Sequence, residues 1–234
     1  EKHPWVRADN IRPKSIAREM YENFLSFSDY IRDYGLQRSE GILLRYVSQV
    51  YKTLVQTIPD EAKDESVLEV QAYFRAMLSQ VDSSLVQEWE AMLNPVQRAD
   101  SEEVSRPPRL TDDPKACRAR IRTEIHQLLK HLSAKDFEKA AAGVRNTEES
   151  PADCARIESL MAPYFDTYES LAFNHDARLP VHTRIQETSR DLWQATQVIL
   201  DPEEENFWVI ELDIPIEDDF NEQEPVIVIR DIHD

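Results

Sequence analysis

The amino-acid sequence predicts an α+β protein: a helical bundle followed by a mixed α+β domain. Three observations carry that expectation. Apolar residues recur at helical spacing from Pro13 to about Leu93. Residues 95–113 then lose all periodicity and fill with proline and charge. Beyond about residue 168, after several short helical segments, the apolar period drops to the alternation of strands. The expected division is a helical bundle over residues 1–94, a linker over 95–113 and an α+β domain over 114–234.

Residues 1–12 read as extended, with Pro4-Trp5 as an anchor. Pro13 suits the first turn of a helix, because its missing N–H has no partner there in any case. Ile16, Ala17, Met20, Tyr21, Phe24, Leu25, Tyr30 and Ile31 continue a single helix to about Asp33. Gly35 can adopt the left-handed conformation that ends it, and Ser39 can cap the next. From Ile42 to Ile58 the apolar residues Ile42, Leu43, Tyr46, Val47, Val50, Tyr51, Leu54, Val55 and Ile58 cover an arc of roughly 220°. So wide an arc predicts a nearly enclosed rod at the centre of the bundle, stopped by Pro59. Arg38, Arg45 and Lys52 recur every seven residues opposite that arc and form a narrow basic stripe. Asp64 can cap a third long segment through Val67, Leu68, Tyr73, Phe74, Met77, Leu78, Val81, Leu85, Trp89, Met92 and Leu93. Asp82-Ser83-Ser84 marks a restart within it, and Asn94-Pro95 ends it.

In the second half, Pro114 to about Leu132 reads as a helix with Ile121, Ile125, Leu128, Leu129 and Leu132 on one side. Ser133 with Asp136 resembles a capping pair for a short helix ending at Gly143. Ser150-Pro151 opens another through Met161. Strands are expected at 168–173, 182–189, 191–200, 206–214 and 225–232. This order of elements resembles the cone-shaped α+β fold of nuclear transport factor two-like domains.

One region carries a more specific resemblance. Ile11-Arg12-Pro13-Lys14-Ser15-Ile16-Ala17-Arg18-Glu19-Met20-Tyr21, Tyr34-Gly35-Leu36 and Arg38-Ser39-Glu40-Gly41-Ile42-Leu43-Leu44-Arg45-Tyr46 resemble the C-terminal domain of unknown function of bacterial DEAD/DEAH-box helicases of superfamily two. The likeness continues through Trp193 and Asp201-Pro202-Glu203 and so spans nearly the whole chain. It implies a parent enzyme that uses ATP and Mg to unwind or remodel nucleic acid. The chain begins with Glu1 rather than Met, in keeping with a piece of something longer.

Charge is unevenly divided. Residues 1–58 hold nine Lys/Arg and seven Asp/Glu, about +2; the remainder holds 18 and 38, about −20, together the net −18. Phosphate backbones are bound by basic patches, so any contact with RNA or DNA belongs to the first part. The acidic part fits a protein partner better. No apolar run approaches membrane-spanning length, and no signal-peptide pattern opens the chain. The two cysteines, Cys117 and Cys154, read as free thiols in a reducing cytoplasm, with a disulfide between them as the alternative.

Catalytic chemistry finds little to work with. Three glycines, none before Lys-Ser/Thr, give no phosphate-cradling loop. Asp60-Glu61-Ala62-Lys63 copies three letters of the helicase acidic motif but follows a helix stop. Cys117, His126 and His131 lack the paired spacing of zinc ligands. Cys154 lies among acids, which disfavour a thiolate. Asp201-Pro202-Glu203-Glu204-Glu205 reads as a charged turn without the glycine of a calcium loop. His182, Arg184, Trp193, Phe207 and Trp208 are candidate linings of an apolar pocket in the cone-shaped fold, with plain core as the alternative. No catalytic residue, metal or cofactor is therefore expected within these residues. The expected function is an accessory region of an ATP-dependent helicase. Its helical half would pack on the motor domains and help hold nucleic acid; Arg38, Arg45 and Lys52 would follow the nucleic-acid backbone or dock onto the motor's acidic surface, and a solvated helix face is the other reading of that stripe. A protein–protein interaction module and a small-molecule-binding domain are the alternatives.

Overall fold

Pro13 opens the first helix, α1 (Pro13–Glu22), as its fixed φ favours. The computed structural model describes residues 13–59, 62–81, 110–148, 150–217 and 224–234. The single helix expected to Asp33 is in fact two, α1 and α2 (Phe27–Tyr34). Phe24 breaks them with a left-handed backbone at φ +48. The Phe24 N–H donates to the Tyr21 carbonyl at 3.1 Å and the Leu25 N–H to the Met20 carbonyl at 2.8 Å. Ser26 then caps α2, its Oγ accepting from the Asp29 N–H at 3.1 Å. Packing holds the strained residue: the buried Phe24 ring lies 5.0 Å from that of Tyr73. The Tyr73 hydroxyl is within hydrogen-bonding distance of the Met20 and Leu25 carbonyls, at 2.7 and 2.6 Å, and so ties both sides of the break. The apolar period runs through this break because the turn residue is itself buried.

Gly35 ends α2 as the sequence predicts, at φ +65, with the Leu36 N–H returning to the Ile31 carbonyl at 2.9 Å. A short 3-10 turn, Gln37–Ser39, leads into α3 (Glu40–Thr57). Ser39 occupies the cap position but makes no side-chain cap bond. Helix α4 (Glu65–Val81) is capped by Asp64, whose Oδ1 accepts from the Val67 N–H at 2.9 Å and the Ser66 hydroxyl at 2.7 Å. Those bonds hold its carboxyl below the usual range. The extended segment 1–12, the restart at Asp82-Ser83-Ser84, the positions Leu85, Trp89, Met92 and Leu93, the stop at Asn94-Pro95 and most of the linker lie outside the described residues.

The enclosed rod is corrected. Helix α3 buries Leu43, Val47, Ser48 and Tyr51 on one side only. Leu44, Tyr46, Val50, Leu54, Val55 and Ile58 are half-buried, and Ile42 is 75% exposed. The wide apolar arc arises because residues at the rim of a single contact are apolar too. Breadth of an apolar arc counts residue types, whereas enclosure requires neighbours on both sides.

The chain divides into two compact units, Glu1–Ser105 and Arg106–Asp234. The second begins within the expected linker: Leu110 opens a 3-10 turn to Asp112 and joins the second core. Asp113 caps α5 (Pro114–Ser133), accepting from the Lys115 and Ala116 N–H groups. Asp136 alone caps α6 (Phe137–Ala142); Ser133 donates to the Lys130 carbonyl instead. Helix α7 (Cys154–Thr167) starts on Asp153, later than Ser150-Pro151 suggests, and runs past Met161 with Pro163 inside it. The strand expected at 168–173 is absent. Tyr168 closes α7, and the Ala172 N–H donates to the Leu200 carbonyl at 2.9 Å.

The other four strands form: β1 (Thr183–Glu187), β2 (Leu192–Val198), β3 (Val209–Pro215) and β4 (Val228–His233), an antiparallel meander in chain order. Trp193, Ala195 and Gln197 of β2 and Ile210, Leu212 and Ile214 of β3 face the core, alternating with Gln194, Thr196, Glu211 and Asp213. The inward row joins Ile121, Ile125, Leu128 and Leu129 of α5 and Ile157, Met161 and Tyr164 of α7 in one apolar cluster. On β4 the Ile229 carbonyl accepts from the Ser150 hydroxyl at 2.5 Å and the Arg156 guanidinium at 3.1 Å, which blunts that edge. The fold is thus α+β, with a four-stranded antiparallel sheet in the second unit.

Two glycines six positions apart respond oppositely to alanine. Nothing lies within 4 Å of a Cβ built at either. Gly35→Ala is expected to cost about 1 kcal/mol through its left-handed backbone, whereas Gly41→Ala, inside α3, is expected to stabilise by about 0.5 kcal/mol. Thermal melts of the two variants check the opposite signs.

Candidate functional site

The cationic face of the first unit follows from one-sided burial of α3. With Leu43, Val47 and Tyr51 turned inward, Arg45 is exposed and Lys52 half-buried on the far side. Arg38 is exposed too, but it lies in the 3-10 turn before α3, so the helical period does not place it on that face. Arg45 and Lys52 sit about 10 Å apart along the axis, two turns of helix. Several other cations are paired, Arg18 with Glu22, Arg32 with Asp29 and Asp33, Arg145 with Glu217 and Arg230 with Glu211, while Lys115, Arg184 and Arg190 form no ion pair among the described residues. Arg38, Arg45 and Lys52 form no ion pair among the described residues. Ile42 lies one turn before Arg45 on the same face. The apolar count of the sequence assigned Ile42 to the core; its helical angle beside Arg45 is the signal that places it outside.

The five candidate pocket residues of the second unit do not converge. Trp193 is buried on the core side of β2, with the Arg118 guanidinium 5.4 Å from its ring and bonded to Glu187 at 2.9 Å. Trp208 is half-buried against Tyr164, ring centroids 5.6 Å apart. Trp193 pairs with Ile214, six residues along β3 from Trp208, so the two indoles lie about 20 Å apart at opposite ends of the sheet. Arg184 is exposed on β1, between the inward Thr183 and the half-buried Ile185. His182 is half-buried in the 3-10 turn Pro180–His182. Phe207 is 67% exposed.

Polar groups inside the second unit have structural duties. The Glu124 carboxylate accepts from Arg120 at 3.0 Å and from the Val226 N–H at 2.7 Å, while Arg120 donates to the Glu224 carbonyl at 2.7 Å. The pair fastens α5 to the segment entering β4. The buried Thr183 hydroxyl donates to Gln197 at 2.5 Å. Asp201 turns inward and its carboxylate accepts from the N–H groups of Glu203, Glu205 and Asn206 at 2.8, 3.2 and 2.5 Å, so it anchors its own turn. Burial pushes the free Cys117 thiol up to about 12, and burial with Glu158 and Glu138 raises that of Cys154, so neither is a ready nucleophile. Among the described residues no three of His, Cys, Asp or Glu converge as metal ligands, and no helix is long and apolar enough to cross a membrane. Asp60 and Glu61 lie outside the described residues.

The chain matches, over residues 1–232, the family described as Domain of unknown function (DUF3516), and it belongs to that family. No curated protein and no solved structure matches it.

The buried ionisable groups make a pH signature. Burial, then the cations Arg178 and Arg122, push the His126 imidazole down to about 3. The unfolded chain takes up that proton near the ordinary value of 6.5 and the folded chain does not, so stability is lost as pH falls from about 6.5 toward 3. Glu124 acts with the opposite sign: burial raises its carboxyl, so its stabilisation is present below the ordinary carboxylate range and lost as pH rises through the raised value. Glu124 is common to the wild type and a His126 variant, so their difference isolates the histidine: between pH 7 and pH 5 the wild-type melting temperature is expected to drop relative to that of His126→Gln, in melts at matched ionic strength.

Proposed function

We propose that this member of the Domain of unknown function (DUF3516) family is the accessory region of an ATP-dependent DEAD/DEAH-box nucleic-acid helicase. The motor, with its ATP and Mg, belongs to other parts of a longer parent. The helical unit packs on that motor in cis and helps hold RNA or DNA, and the acidic unit engages a protein partner. A reducing compartment such as the cytoplasm suits the free Cys117 and Cys154.

The observation that carries this reading is the uncompensated stripe of Arg38, Arg45 and Lys52 on an otherwise acidic chain. Cations without acidic partners at salt-bridge distance are available to phosphate, whose binding releases counterions. The wording shared with helicase C-terminal domains, from Ile11 to Tyr46, supplies the context. The stripe holds a strand and does no chemistry; its role is to position nucleic acid for the motor.

A protein–protein module without nucleic-acid contact is the second reading, favoured by Ile42, whose exposed apolar side chain beside Arg45 suits a protein surface better than a phosphate. The cone-shaped likeness of the second unit stays within the proposal, supported by helices over one face of an antiparallel meander. A small-molecule pocket lined by Trp193 and Trp208 has no such support, given their separation.

Binding to a single-stranded oligonucleotide across a salt series separates the readings. Reversing Arg38, Arg45 and Lys52 to Glu is expected to weaken binding at least tenfold at low salt. It should also flatten the slope of log affinity against log salt by about 2, three contacts' worth on a single strand. An unchanged slope overturns the nucleic-acid role, and ATP hydrolysis by this chain alone overturns the accessory role.

A further inference from the structure

Leu179, Val181 and Phe207 are left in water at 36%, 79% and 67% exposure. The sheet register gathers the last two at one end. Thr183 pairs with Gln197 and Val198 with Val209, so Val181 and Phe207 each lie two residues before the first paired residue of β1 and β3. Only β2 separates those strands, a lateral distance of about 10 Å. Leu179 directly precedes the 3-10 turn that holds Val181.

The surroundings of Phe207 are acidic: Glu203, Glu204 and Glu205 are exposed in the β2–β3 loop, with only Asn206 between them and Phe207, whereas the Val181 side is mixed, with Asp176 and Arg184 exposed and Arg178 and His182 half-buried. Between Arg190 and Arg230 the sequence holds no lysine, arginine or histidine. The loop is fixed by the three N–H bonds to Asp201, and the Tyr168 hydroxyl donates to Glu205 at 2.8 Å. Docking onto Phe207 therefore requires little ordering of the loop.

We infer that this end of the sheet is a docking surface for a cationic protein segment that carries a large apolar anchor. The anchor covers Phe207 and Val181, and lysines or arginines meet the glutamates. An aromatic at the centre of a charged rim is the arrangement that concentrates binding energy at protein interfaces. The carboxylates exclude nucleic acid from the same place. The inference deepens the partner role proposed for the second unit and rests on it; it is independent of the stripe on α3.

Fluorescence anisotropy tests it with two labelled peptides of equal length and charge, one of lysine and leucine, the other of lysine and serine. The lysine–leucine peptide is expected to bind the full chain at least tenfold more tightly. Phe207→Ser should remove that preference while leaving the melting temperature unchanged, since the ring is mostly in water. Glu203→Lys with Glu204→Lys should weaken both peptides. Equal binding of the two peptides, or a preference that survives Phe207→Ser, overturns the docking surface. Self-association that Phe207→Ser abolishes would make a second copy the occupant and would also overturn it. No nucleic acid enters these measurements, so their failure is distinct from failure of the stripe.

Discussion

A helix packed against neighbours on one side can hide only one side, and α3 obeys that constraint. Leu43, Val47 and Tyr51 repeat every four residues and take the buried line. The remaining angle follows from that line: Ile42 and Arg45 lie exposed away from it, and Lys52 is half-buried. Had α3 been enclosed, its cations would have needed carboxylate partners or carried the large cost of buried charge. The cationic face and the one-sided core are therefore the same fact seen from opposite sides of one helix.

Local chemistry was legible wherever one residue makes the decision. Gly35, Asp64 and Gly143 mark their helix ends because each terminus depends on a single backbone angle, side-chain acceptor or chain stop. Strands β2 and β3 alternate cleanly because one face meets α5 and α7 and the other does not, whereas β1 buries only Thr183 and β4 pairs with β3 across a register shift. Legibility failed where tertiary packing overrode a local signal. Phe24 is an improbable residue for a left-handed turn, and only its burial against Tyr73 makes that turn tenable. Leu171 and Phe173 are spaced like a strand, but with Tyr168 they anchor an irregular segment after α7 on the core. Similarly, Ser133 offered a plausible capping pair, while Asp136 needed no help.

The candidate surfaces were legible in part for the same reason. Charge period identifies Arg45 and Lys52, since a seven-residue repeat holds one helical face whatever packs behind it; Arg38 falls in the 3-10 turn before α3, where that period does not apply. An aromatic residue on a strand carries no comparable signal. Trp193, Trp208 and Phe207 look alike in sequence, yet they are core, rim and surface respectively. Strand parity separates Trp208 from Phe207, because adjacent residues point to opposite faces, but parity names a face only once the register with β2 is known.

Net charge is a poor guide to what such a chain can touch. The formal −18 describes the whole molecule, whereas at physiological ionic strength the field of an exposed charge decays over about 8 Å. A phosphate approaching Arg45 is governed by the charges within that range, and Arg45 has no carboxylate at salt-bridge distance among the described residues. Screening thus lets basic and acidic segments coexist on one polypeptide: Arg45 and Lys52 lie along one side of α3, and no base occurs between Arg190 and Arg230.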